Sequence, residues 1–221
     1  MSENVNSVAE KRAARVRMFI YFAVGMAGLL FGLDQGVISG ALPFIAEEWN
    51  LSSHMQEMVV SSMMVGAATG AIIASFLAGG IGRKKSILIG AVLFIVGCVG
   101  SSIAPNVDVL IGSRLILGLS VGIASYTAPL YLAEMSDKDA RGKVISGYQL
   151  MVTVGILAAF LSDTAFSYTG DWRMMLLVIA VPAVVLIFTV FNLPDSPRWL
   201  AAKGKFEAAE KVLNSLHASK E

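Results

Sequence analysis

The sequence predicts an all-α membrane protein: six transmembrane helices, built as two three-helix units of opposite orientation, with both termini cytoplasmic. Composition is the first reason. The chain has 221 residues, of which 56% are hydrophobic and only 15% charged, whereas soluble domains carry about 25% charged residues. The second reason is six apolar runs of membrane-spanning length. The third is the sharp alternation of basic residues among the segments that join them. The net charge of +1 gives no argument for a nucleic-acid partner. A single cysteine, Cys98, excludes an intrachain disulfide. Neither it nor the lone His54 and His217 belongs to a metal-ligand cluster, so no metal or other cofactor is expected.

The first run covers residues 18–41. It follows Lys11, Arg12, Arg15 and Arg17, as the apolar part of a signal peptide would. It exceeds an h-region of about 7–15 residues and lacks a clear cleavage site, so it reads as a retained helix 1. Helices 2 and 3 fall at 58–81 and 86–107, on either side of the basic loop Arg83, Lys84 and Lys85. Helix 4, at 109–133, follows a short connection with Asp108 and no base, and helices 5 and 6 fall at 144–162 and 174–193. These runs approach the ~20 residues needed to cross a ~30 Å hydrocarbon core. Residues 1–17 are then a basic cytoplasmic tail, 18–193 the bundle and 194–221 a cytoplasmic loop. Within that loop Phe206, Ala209, Val212, Leu213 and Leu216 recur at helical spacing. They predict a short amphipathic helix over 204–217 that lies on the membrane or on the loops.

Basic residues set the orientation. Four precede helix 1, three lie in the 2–3 loop, and Lys138, Arg141 and Lys143 lie in the 4–5 loop. Arg198, Lys203, Lys205, Lys211 and Lys220 follow helix 6. The 1–2 loop carries Glu47, Glu48 and Glu57 without a base, and the 5–6 loop has only Arg173. Fifteen of the 17 bases thus share one side, which the positive-inside rule makes the cytoplasm. An internal repeat agrees with this layout. A shift of 86 residues lays Gly32, Leu33, Gly36, Ser39, Pro43 and Glu48 on Gly118, Leu119, Gly122, Ser125, Pro129 and Glu134 without a gap. Helix 1 falls on helix 4, which runs the opposite way, as in the inverted repeats of secondary transporters. The similarity fades in helices 2/5 and 3/6, and chance matching of glycine-rich apolar runs is the alternative. Gly28, Gly32, Gly36 and Gly40, with Gly66/Gly70 and Gly118/Gly122, predict close helix packing.

The apolar runs keep two charges, Asp34 in helix 1 and Arg114 in helix 4. A charge near the middle of a membrane helix costs about 2.5–3.5 kcal/mol on insertion scales, which marks both as candidate functional residues. At 1.5 Å per residue, Asp34 lies roughly 6 Å and Arg114 roughly 8 Å below the outer surface. A neighbouring guanidinium favours the charged carboxylate, whereas burial alone favours the neutral acid. An Asp that alternates between the two carries one proton per cycle; a static structural ion pair is the alternative. A second set, Arg83, Glu134 and Arg141, falls at the inner face. There Glu134 can bridge either arginine as a weak, breakable gate, or all three are ordinary solvated loop charges.

Read in order, LLFGLDQGVISGALPFI (29–45), VVSSMMVGAATGA (59–71), GRKKS (82–86), SRLILGLSVGIASYTAPLYLAEM (113–135), RGKVISGYQLMVTVGILAAFLSDTAFSYTG (141–170) and PDSPRWLAAKG (194–204) resemble the N-terminal half of a sugar porter of the major facilitator superfamily. Within it they resemble the bacterial arabinose–proton and galactose–proton symporters. The resemblance covers nearly everything after about residue 18. It implies the six-helix N-terminal domain of the major facilitator fold, with Asp34 as proton carrier and Arg114 as its partner. It also implies that Gln149 hydrogen-bonds the sugar and that Phe31 lines the sugar cavity. Arg83, Glu134 and Arg141 would form a cytoplasmic charge network, joined by Asp195 and Arg198. An amide offers donors and an acceptor to sugar hydroxyls, but for Gln149 to reach the midplane helix 5 has to start inside the cytoplasm, near Arg141.

Two departures limit the resemblance. The superfamily loop motif has an acid and then a base ahead of the GRK glycine, where this chain has Gly79 and Gly80. The family has twelve helices and takes most sugar contacts from the second six, whereas this sequence stops in what should be the central cytoplasmic loop. The implied function is symport of a pentose or hexose, such as arabinose or galactose, with a proton across the bacterial inner membrane. A monosaccharide, a proton and the bilayer are its partners. The alternative is a truncated half-transporter that inserts but does not transport unless it dimerises with a second copy or pairs with a missing C-terminal half. No nucleophile–base pair or phosphate loop points to an enzyme.

Overall fold

Ser52, Asn106 and Asp171 each precede an apolar stretch, and each caps a helix by accepting a backbone N–H three residues on, from Met55 at 3.4 Å, Val109 at 3.0 Å and Met174 at 3.1 Å. Such caps satisfy a donor that the helix itself leaves free. The computed structural model describes residues 2–136 and 140–216, without the side chains of 2–12. Lys138, Lys220 and the tail His217 lie outside the described residues, as do the side chains of Lys11 and Arg12. Every regular element among the described residues is an α-helix: α1 (Ser2–Trp49), α2 (Ser53–Gly80), α3 (Arg83–Ser102), α4 (Val107–Met135), α5 (Arg141–Ser167), α6 (Trp172–Val178), α7 (Ala180–Phe191), α8 (Pro197–Ala202) and α9 (Phe206–Leu216). Six spans are long and apolar enough to cross a membrane, the sixth being α6 and α7 together.

Helix boundaries differ from the expected runs for local reasons. α1 continues back to Ser2, through the segment expected as a tail, and forward to Trp49, past Pro43. Helix 3 was expected to reach 107 but ends at Ser102. Pro105 has no N–H for a helix, and Asn106 already begins the next one. The sixth span breaks at Ile179, because Pro182 has no N–H to give the Val178 carbonyl. α5 starts at Arg141, as the depth of Gln149 required. α9 occupies the predicted amphipathic segment. It buries Ala209 and Leu216, packs on α8 and on α1, and accepts Arg17 Nη1 on the Leu216 carbonyl at 2.6 Å.

α1 packs along α5, and α4 packs along α2. The two interfaces are one interface built twice. Gly155 of α5 faces Leu29, Gly32 and Leu33 of α1; Gly66 of α2 faces Leu115, Gly118 and Leu119 of α4. Those α1 residues map onto those α4 residues by the 86-residue shift, but Gly66 and Gly155 differ by 89. The buried stripe of α2 (Val59, Met63, Gly66, Gly70, Ala74) falls on that of α5 (Tyr148, Val152, Gly155, Ala159, Asp163) at the same 89-residue offset. In α3 and the sixth span, Ser86, Ile87, Gly90, Ala91 and Phe94 likewise fall on buried Met175, Leu176, Ile179, Ala180 and Ala183. The repeat therefore extends through all six helices. Its second half carries three extra residues between its first and second helices, which is why a gapless comparison loses it there.

Glycine is required at the centre of both copies. A Cβ on Gly32 would strike the Val152 carbonyl oxygen, and one on Gly118 would strike that of Met63. Backbones this close gain van der Waals contact that larger residues forbid. Gly32→Leu and Gly118→Leu are expected to destabilise the detergent-solubilised chain by at least the ~1–3 kcal/mol typical of overpacking. Gly147→Ala, at a position with open space around it, is expected to change thermal stability by less than about 1 kcal/mol.

Candidate functional site

Asp34 and Arg114 are the most deeply buried charges among the described residues, 0% and 1% exposed. Their helix neighbours Leu33, Val37 and Ile38 on α1, and Leu110, Leu117 and Gly118 on α4, are buried too. Cys98 of α3 belongs to the same buried core as Leu33 and Leu117. The expected ion pair is not closed. Both Asp34 carboxyl oxygens lack a hydrogen-bond partner, and Arg114 Nε instead donates to the Val59 carbonyl of α2 at 3.1 Å. Arg114 Nη1 has no partner either. The Val59 carbonyl also accepts from Ser62 Oγ at 2.9 Å, so α2 offers the guanidinium a fixed neutral acceptor.

Asp163 is a third buried charge, one residue past the expected end of helix 5. It is 5% exposed, both oxygens lack hydrogen-bond partners, and it packs against Gly40 of α1. The signal was present in the sequence: Gly40 continues the helix 1 glycine stripe, and its partner stripe on α5 ends at 163.

The other expected residues divide. Gln149 is exposed on α5, as is Thr153 one turn on; on α1, Gln35 and Ser39 are also exposed four residues apart. Phe31 is half-buried and closes a small apolar pocket with Ala27, Leu30, Gly90, Phe94 and Ala124. Where α3 begins and α4 ends, Arg83 Nη2 meets Glu134 Oε1 at 2.7 Å, while Arg83 Nη1 donates to the Ala78 carbonyl at 2.9 Å. The second Glu134 oxygen accepts from Ser196 Oγ, the N-cap of α8. The Glu134 side chain is only 3% exposed, so this is a buried, hydrogen-bonded pair and not a solvated loop charge. Arg141, Asp195 and Arg198 do not join it: no ion pair of theirs is present among the described residues, and Arg198 is exposed. Ser196 takes the place expected of Asp195. Trp199 completes the junction by donating Nε1 to the Gly79 carbonyl at 3.1 Å, and Tyr131 Oη donates to the Pro194 carbonyl at 2.8 Å. Gly79, where the superfamily motif has an acid, thus contributes its backbone.

Two inverted three-helix units with buried charges on the first helix of each define a six-helix domain of the major facilitator fold. The chain belongs to the sugar (and other) transporter family, which matches residues 20–221. It is 63% identical over 195 residues to the galactose-proton symporter of Escherichia coli K12, with 88% of this chain and 42% of that protein covered. It is 58% identical over 207 residues to the arabinose-proton symporter of the same strain, covering 94% of this chain and 44% of the other. Among solved structures, a proton:xylose symporter of the major facilitator superfamily superposes with a TM-score of 0.87 at 28% identity, over 92% of this chain and 50% of the other. The chain spans less than half the length of the curated relatives it matches.

An open pair makes a distinct prediction for stability. Removing one member of a closed buried pair costs about 3–5 kcal/mol. Because Asp34 has no partner to lose, Asp34→Asn is expected to shift the thermal stability of the chain by less than about 1 kcal/mol. Arg114→Met, which also deletes the bond to Val59, is expected to shift it more. Melting curves in detergent check both.

Proposed function

We propose that the chain works as the N-terminal, proton-handling half of a sugar–proton symporter in the bacterial inner membrane, with both termini cytoplasmic. The observation that carries this reading is Asp34, fully buried and unbonded, while its candidate partner Arg114 rests on a helix carbonyl. That arrangement suits one member of a two-state switch. With Arg114 on Val59, a buried acid is favoured neutral; with Arg114 swung to Asp34, the carboxylate is favoured charged and the proton is released. The similarity to the galactose-proton and arabinose-proton symporters supports proton coupling.

Gln149 and Phe31 are proposed as sugar contacts, with the exposed Gln35, Ser39 and Thr153 as additional polar positions on the same two helices. In such transporters the substrate site lies between repeats near the midplane. A sugar therefore needs a second six-helix unit, from a C-terminal half or another copy, to close over these faces. Arg83, Glu134 and Ser196 are proposed to seal the inner end, with Arg141, Asp195 and Arg198 available to pair when the domains change position.

Cells that express the chain with a complementing six-helix C-terminal unit are expected to alkalinise a weakly buffered suspension on addition of galactose or arabinose. Cells with the chain alone are expected not to do so. Asp34→Asn should abolish alkalinisation and uphill accumulation while sparing exchange of labelled sugar; full accumulation in that variant would disprove the proton role. Gln149→Ala should weaken sugar binding about tenfold, the scale of one lost hydrogen bond between uncharged groups, with coupling intact.

A further inference from the structure

The internal symmetry pairs the two ends of the bundle. The 86-residue shift lays Glu48, at the outer end of α1, on Glu134, at the inner end of α4. The 89-residue offset of the following helices lays Arg83, the first residue of α3, on Trp172, the first residue of α6, and Lys84 on Arg173. The contacts repeat in kind. Arg83 donates to Glu134 at 2.7 Å. Trp172 Nε1 donates to Glu48 Oε2 at 2.6 Å, and Arg173 reaches both Glu48 oxygens at 3.1–3.2 Å. The Arg173 guanidinium also lies 4.2 Å over the Trp172 ring, which Trp49 meets edge-on at 5.3 Å. In both places the first helix of one unit is tied to the third helix of the other.

We propose that Glu48, Trp172 and Arg173 are positioning residues: an outer brace, the counterpart of the inner Arg83–Glu134 junction, that holds the outer half of α1, and with it Asp34, against α6. The two braces differ in strength. Glu134 is 3% exposed, whereas Glu48 and Arg173 are 42% and 40% exposed, so salt screens the outer ion pair and hardly touches the inner one. The Trp172 arm is buried, at 2% exposure, and persists in salt. The outer end is therefore the more easily released of the two. This inference rests on the repeat geometry and not on the transported sugar, so it stands or falls separately from the proton reading.

Cys98 supplies a native reporter. It is the chain's single cysteine, fully buried four residues before the outer end of α3, and α3 packs on α6. Purified chain in detergent is treated with N-ethylmaleimide, and the Cys98 alkylation rate is referred to that in denaturant. Glu48→Gln and Trp172→Phe are expected to raise the rate about tenfold, the scale of one lost hydrogen bond to a charged group. Glu134→Gln, a lesion of the inner brace, is expected to leave it within about twofold. Arg173→Gln, which keeps the Trp172 bond and the fold, is expected to raise it about threefold. Moving from about 0.1 to 1 M salt is expected to reproduce that rise in the unmodified chain and not in Arg173→Gln. Equal rates in all variants, or an equal rise for the inner and outer lesions, overturn the proposal.

Discussion

Backbone-to-backbone contact at glycine is the constraint on which the rest of this structure depends. Inside a bilayer, lipid tails are as apolar as leucine, so helices do not associate merely to bury hydrocarbon. What holds α1 to α5 and α4 to α2 is close van der Waals approach, available only where Gly32, Gly155, Gly66 and Gly118 leave the surface bare. That approach fixes the register of both pairs to the residue. The register in turn places Asp34 and Arg114 at the centre of the bundle, brings the Val59 carbonyl to Arg114, and sets Glu48 and Glu134 at opposite ends.

Buried charge is the second organising principle, and the chain handles it in two ways. Glu134 is fully engaged, by Arg83 on one oxygen and Ser196 on the other, as a buried ion must be to avoid a large desolvation penalty. Asp34 and Asp163 are not engaged at all. Engaged pairs are rigid, whereas unengaged acids respond to whatever approaches them. The end of the bundle that holds Arg83 and Glu134 belongs to the first kind and its interior to the second.

Much of this was legible in the sequence. Charge depletion and the alternation of bases gave the six spans, and the cost of a charge in hydrocarbon singled out Asp34 and Arg114. The need to bring Gln149 deep enough predicted that helix 5 starts near Arg141, where it does start. Other features were hidden for physical reasons. A hydrogen bond to Val59 has no side-chain signature, because its acceptor is backbone; the same is true of Trp199 on Gly79. Ser196 carries no charge to mark it beside Asp195 and Arg198, yet it is the N-cap hydroxyl that reaches Glu134. Asp163 looked like the edge of an apolar run, since hydropathy does not know which face of a helix is covered.

The three-residue difference between the halves, 86 in the first helix and 89 in the next two, has a consequence for how such a chain tolerates change. The extra residues fall between the packed stretches and leave both glycine interfaces in register. Placed inside α2 or α5, the same three residues would turn the helix by about 300° and rotate every bare glycine off its partner. A three-residue insertion inside a packed helix would therefore break an interface that one in a connection leaves intact. Two halves of such a protein can drift far apart in alignment while their helices keep step.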